Sequence, residues 1–214
     1  VNYKKISPEN NGYTDYLYPK QAENNDLITL KKMYGHRYQF VQVSKAGEEK
    51  KLFDPGLLLA EKFSLSENKI TWNELIPDIR YQLRNFSDIY TYSLNSGRKK
   101  RITKQKRYFS PTISSDGKII AAIAISEDLK ERIDLIDAET GELILKADSA
   151  ASGHYLDLTW NKENNKLAFV LLRNNTKHLV ILTLQSGKAD TLLSEPRYDI
   201  SHPEFINDSV IVFN

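Results

Sequence analysis

A short polar turn followed by an aliphatic residue recurs five times along this chain: Asn24-Asn25-Asp26-Leu27, Glu67-Asn68-Lys69-Ile70, Asp116-Gly117-Lys118-Ile119, Asn164-Asn165-Lys166-Leu167 and Asn207-Asp208-Ser209-Val210. By subtraction, the aliphatic positions stand 43, 49, 48 and 43 residues apart. A strand-built period of about 40–50 residues marks a repeat architecture, with β-propeller blades as the leading candidate. One such unit buries too little surface to fold alone, so the units must pack on one another.

A second turn repeats behind the first. Lys45-Ala46-Gly47, Asn95-Ser96-Gly97, Glu139-Thr140-Gly141 and Gln185-Ser186-Gly187 each follow an alternating strand, and the glycine supplies the positive φ of a tight hairpin. From first-turn aliphatic to second-turn glycine the distances are 20, 27, 22 and 20 residues, so the second unit is the long one. Its excess falls between Trp72 and Asp88 and reads as an insertion. The clearest unit runs from Phe109-Ser110-Pro111-Thr112-Ile113 through an Asp-Gly turn to the apolar stretch Ile119 to Ile125. Alternating Arg132 to Asp137 and an outer strand from Leu143 follow. That is four strands, the content of a propeller blade.

The fold expected is therefore all-β, a β-propeller of four-stranded blades, with four blades and the start of a fifth. Residues 1–11 are read as a lead-in or linker and 12–214 as the propeller, which is expected to continue beyond 214. A β-sandwich would also supply many short strands, but the fixed two-turn register disfavours it. A partial ring has open blade edges, through which self-association is expected.

Composition narrows the function classes. The net charge of +2 gives no global attraction to nucleic acid. There is no cysteine, hence no disulfide and no thiolate chemistry. No apolar run approaches the roughly 18 residues of a membrane span. Val1 is not an initiator methionine, so a targeting segment is expected outside these residues.

The stretches FSPTISSDGKIIAAIAI (109–125), IYTYSLNSGRKKRIT (89–103) and IDLIDAETGELI (133–144) resemble the TolB-like β-propeller repeat. That repeat has an innermost strand, a Ser-Pro-Asp-Gly-Lys-like turn, an apolar strand, then Asp-x-x-Thr/Ser-Gly before the outer strand. Here SSDGK stands for SPDGK, and the other units are more degenerate. The order of Pro77, Asp78, Arg80, Arg84, Ser87, Asp88, Ile89 and Tyr90 is similar to large cell-envelope proteins, many from Bacteroidetes-type bacteria, some of which join the propeller to a zinc-peptidase-like domain. The resemblance implies a periplasmic or envelope setting and protein–protein contact. It transfers no activity, because propellers host unrelated functions.

Motifs for chemistry are missing. There is no His-Glu-x-x-His, no Gly-x-Ser-x-Gly, no phosphate-binding Gly-x-x-x-x-Gly-Lys-Ser/Thr and no Asp-x-Asp-x-Asp-Gly, so no metal site and no cofactor are expected. A site assembled from distant strands stays open. The run RKKRITKQKR (98–107) has seven basic residues in ten. It reads as an outer strand whose charges block edge pairing, with a polyanion patch as the alternative. Arg107-Tyr108, His154-Tyr155 and Arg197-Tyr198 precede three innermost strands and form a candidate partner-binding rim of the channel. Packing of these tyrosines between blades is the alternative. Arg80, Tyr81, Arg84 and Phe86 are candidate contacts in the insertion. Trp72 and Trp160 read as blade-packing residues.

The expected function is a non-catalytic cell-envelope scaffold that binds a protein partner through its channel face. The alternatives are the docking or gating propeller of a peptidase whose catalytic domain lies elsewhere, and a glycan- or small-ligand-binding propeller.

Overall fold

The computed structural model describes residues 5–8, 12–58, 60–80, 85–147, 153–194 and 199–214. Those residues contain no helix. The first four-stranded antiparallel sheet joins β1 (Thr14–Gln21), β2 (Leu27–Met33), β3 (Gln39–Val43) and β4 (Glu49–Phe53) in chain order. The second joins β5 (Ser64–Ser66), β6 (Lys69–Pro77), β7 (Asn85–Ser93) and β8 (Lys99–Arg101). The third joins β9 (Tyr108–Ile113), β10 (Ile119–Ile125), β11 (Glu131–Asp137) and β12 (Leu143–Ala147). The fourth joins β13 (His154–Trp160), β14 (Lys166–Arg173), β15 (Thr176–Thr183) and β16 (Lys188–Ser194). A two-stranded hairpin, β17 (Glu204–Asn207) and β18 (Val210–Val212), begins a fifth unit. The two-turn register of the sequence thus delivers four blades and the start of a fifth.

Each blade runs from an innermost to an outermost strand, and burial follows that order. The second strands are nearly sealed: β10 buries Ile120 to Ala124 and β14 buries Leu167 to Leu171. The outermost strands are wet, with β8 fully exposed and β12 exposed over Leu143 to Lys146. Between the first two blades lies an aromatic core. Trp72 and Phe40 are fully buried, and their rings sit 5.4 Å apart with Phe53 and Tyr92 beside them. Between the third and fourth blades, Trp160 donates its indole N–H across to the Thr112 carbonyl at 3.1 Å.

The repeated first turns fasten each blade to its neighbour. The Ser66 hydroxyl donates to the Ser115 carbonyl (2.7 Å), and the Ser115 N–H donates to Asn164 Oδ1 (2.7 Å). The Asn161 amide donates to Asp208 Oδ1 (2.8 Å). Successive units are joined at one end of the ring by the same polar residues that make the turns tight.

The long second unit is not a separate loop. β6 and β7 stay paired from Lys69↔Ser93 to Pro77↔Asn85, nine residues each, so the extra sequence lengthens one hairpin. Asp78 closes its tip by accepting the Arg80 N–H at 2.8 Å.

Candidate functional site

The innermost strands enclose a central cavity of about 910 Å³, within the range of ligand-binding clefts. Its wall is drawn from all five units, through Tyr18 and Lys20, Lys62 to Ser66, Ser110 to Ile113, Asp157 to Trp160, and His202 to Phe205. Three innermost strands carry a bulge at the same register. Residues 18 and 19 oppose one residue of β2, 110 and 111 one of β10, and 157 and 158 one of β14. The first bulge residue is left-handed each time, with φ of 50° at Tyr18, 45° at Ser110 and 52° at Asp157. His202 repeats the conformation, at 52°, just before β17. Non-glycine residues adopt it at a cost, and such strained positions gather where side chains must be re-aimed. Here Tyr18, Ser110, Asp157 and His202 all line the cavity.

The charges at this level are organised. Asp157 Oδ1 is paired with the Lys62 ammonium from the second blade, and its Oδ2 accepts the His202 N–H at 3.1 Å. Burial by itself would raise the Asp157 carboxyl. The Lys62 hydrogen bond, the His202 N–H and the nearby positive charge outweigh it and hold the group below the usual carboxylate range. The Tyr18 ring stacks on the His202 ring, with centroids 5.8 Å apart and planes at 17°. Lys20 pairs with Glu204 at 2.5 Å, so the first and fifth units meet across the same cavity. Both ring nitrogens of His202 are buried without a hydrogen-bond partner. Among the described residues, no group of three or more His, Asp or Glu is placed to hold a metal ion.

Of the residues read from sequence as a candidate rim, both described tyrosines pack inside their blades. Tyr108 is buried in the core and donates its hydroxyl to Asp134 Oδ2 at 3.0 Å. Burial, with the Asp134 charge second, pushes that phenol well above its usual range. Tyr155 is also buried and packs against Phe169, with ring centroids 5.3 Å apart. These two tyrosines are blade-packing residues, because the strand alternation that exposes the preceding residue turns them inward. Arg107 and His154 are exposed, and His154 Nδ1 lies 2.9 Å from Glu131 Oε1. None of the four lines the cavity. Arg197 and Tyr198 lie outside the described residues, as do Tyr81 and Arg84 of the insertion. Arg80 is exposed at the hairpin tip and Phe86 is buried.

Among the described residues, three of the seven cations of the basic run are paired with carboxylates. Lys99 pairs with the buried Glu74 at 2.6 Å, Arg101 with the fully buried Asp88 at 2.5 Å, and Lys100 with Glu139. Asp88 also accepts the backbone N–H groups of Gln105 (3.1 Å) and Lys106 (2.9 Å), folding the run back on its own blade.

Sequence reasoning missed the bulge positions. The trace they leave is a proline after the left-handed residue at Pro19, Pro111 and Pro203, spaced 92 and 92 residues apart by subtraction, or two repeat periods. Proline is tolerated at a bulge because no ladder hydrogen bond is needed there.

No known protein family and no curated protein matches the chain. Solved structures do. A structure described as a TolB from Agrobacterium tumefaciens superimposes with a TM-score of 0.63 at 14% identity, over 79% of this chain and 61% of that one. An oligogalacturonate lyase in complex with manganese gives 0.64 at 17%, over 89% and 55%. The β-propeller domain of the trilobed protease from Pyrococcus furiosus gives 0.50 at 19%, over 71% and 51%. The fold is a β-propeller. At these identities the likeness is one of fold, and the chain spans between half and two thirds of each of these structures.

Proposed function

We propose that this propeller is a non-catalytic binding module of the cell envelope that receives a protein partner at its central cavity. The observation that carries this is the repeated left-handed bulge, which turns one non-glycine side chain from each of four units toward the same space. Strain repeated at one register is what re-aims side chains to build a binding wall. Arg107 and His154, exposed where β9 and β13 begin, extend the contact surface toward one mouth. Arg80, at the tip of the long hairpin, is a second peripheral contact. The envelope setting rests on the TolB-like resemblance of the repeats.

The test is site-specific photo-crosslinking in the source cell, with the crosslinker at Ser110 in the cavity or at Leu192 on the outermost strand. The account expects one discrete adduct from Ser110 and none in common with Leu192. The same adducts from both positions would overturn it.

A further inference from the structure

We infer that the cavity recognises a carboxylate carried by an extended peptide segment, with His202, Lys62 and Lys20 as the groups that hold it. This rests on the reading of the cavity as the partner site and names its chemistry.

The argument is one of unspent donors. Both Asp157 oxygens are engaged, one by Lys62 and the other by the His202 backbone N–H. A lysine ammonium carries three donors. Among the described residues, Lys62 pairs with Asp157 alone and Lys20 with Glu204 alone, so each keeps donors to spare beside the cavity. Lys162, also on the wall, has no ion pair among the described residues. The imidazole of His202 has neither nitrogen satisfied, and a buried polar group without a partner is a standing cost that a ligand can relieve. Against these stand Glu204, whose Oε1 takes Lys20, and Glu67, exposed in a first turn as Lys162 is. The wall thus keeps ammonium and imidazole donors beyond those its own carboxylates take up, and a carboxylate is an acceptor that uses several charge-assisted donors at once.

The hydroxyls of Ser64 and Thr112, 3.3 Å apart, and the apolar faces of Phe63, Leu158 and Phe205 line the rest. That mixture suits a peptide backbone with small side chains. The Tyr18 ring lies over one face of the imidazole and is itself 41% exposed, which leaves the in-plane nitrogens of His202 as the groups a ligand would meet.

The experiment titrates the intact chain with three probes, N-acetyl-trialanine, the same peptide as its C-terminal amide, and N-acetyl-Ala-Glu-Ala-amide. Binding is followed by calorimetry and by the ring resonances of His202. Binding of either acid that shifts those resonances, with the amide at least about tenfold weaker as expected for a lost charge-assisted hydrogen bond, supports the proposal. The two acids distinguish a chain-terminal carboxylate from a side-chain one. Lys20→Gln and His202→Gln should each weaken the acid about tenfold and narrow the gap between acid and amide. Equal binding of acid and amide, or no binding of any probe, overturns the carboxylate assignment and leaves the photo-crosslinking result to judge the cavity itself. Because the probe series uses unaltered protein, a variant that folds poorly does not affect the outcome.

Discussion

Two glycines of the second turn look alike in sequence and differ in what surrounds them. A Cβ on Gly141 would stand 2.1 Å from the Ile102 carbonyl oxygen of the preceding blade, and φ there is +78°. Gly187 has φ +66° but nothing within 4 Å. Gly187→Ala should therefore lose only the left-handed penalty, about 1–2 kcal/mol. Gly141→Ala should lose about 3 kcal/mol or more, since backbone must move as well. Urea denaturation of the two variants measures the difference, and equal losses would show that the blade contact at Gly141 is not tight. The same scale explains the tyrosines that follow Arg107 and His154. An Arg-Tyr pair reads equally well as an interface or as a packed ring beside a solvated cation. Burial against Asp134 and Phe169 decides for packing, and that partner information is absent from the local sequence.

At the scale of elements, the polar turns both reverse the chain and clasp the next blade. Asn161 is fully buried, accepts the N–H groups of Asn165 (3.0 Å) and Lys166 (2.8 Å), and donates across to Asp208. Asn161→Ala should cost about 2–3 kcal/mol, because it removes a fully buried amide that takes the Asn165 and Lys166 backbone donors and reaches Asp208. Ser66→Ala removes the hydroxyl bond to the Ser115 carbonyl with little change in volume and should cost about 1 kcal/mol. Thermal unfolding of both variants gives the order, and a Ser66→Ala loss exceeding that of Asn161→Ala would contradict Asn161 as the stronger fastener. The strands and turns were legible in sequence because period-two alternation and turn glycines are local signals. The lengthened second hairpin was legible as extra residues but not as extended strand, since Trp72 to Asp88 lacks clean alternation. The bulges were not legible. The left-handed residues Tyr18, Ser110, Asp157 and His202 share no chemistry, and what repeats is a backbone angle, followed by proline at Pro19, Pro111 and Pro203 but not after Asp157.

At the scale of the whole molecule, the cavity is held by contacts between residues far apart in sequence, as with Lys62 and Asp157, and no local pattern encodes such a pair. Asp157 titrates below the usual carboxylate range in the folded chain. Its contribution to stability is therefore fully present above the unfolded value of about 4 and is lost as pH falls through the lowered folded value. The stability gap between the native chain and Asp157→Asn should be constant near neutrality and close in acid below about pH 4. A gap that instead widened in acid would place the carboxyl in the opposite environment.

The central claim is that the wall built by the innermost strands is the working face. Amide hydrogen exchange across the chain, with and without the cross-linked partner or the acidic peptide, tests it most directly. The account predicts added protection at residues 17–20, 110–113, 157–160 and 202–205, and none at the outermost strands. Protection confined to residues 99–101, 143–147 or 188–194 would contradict it.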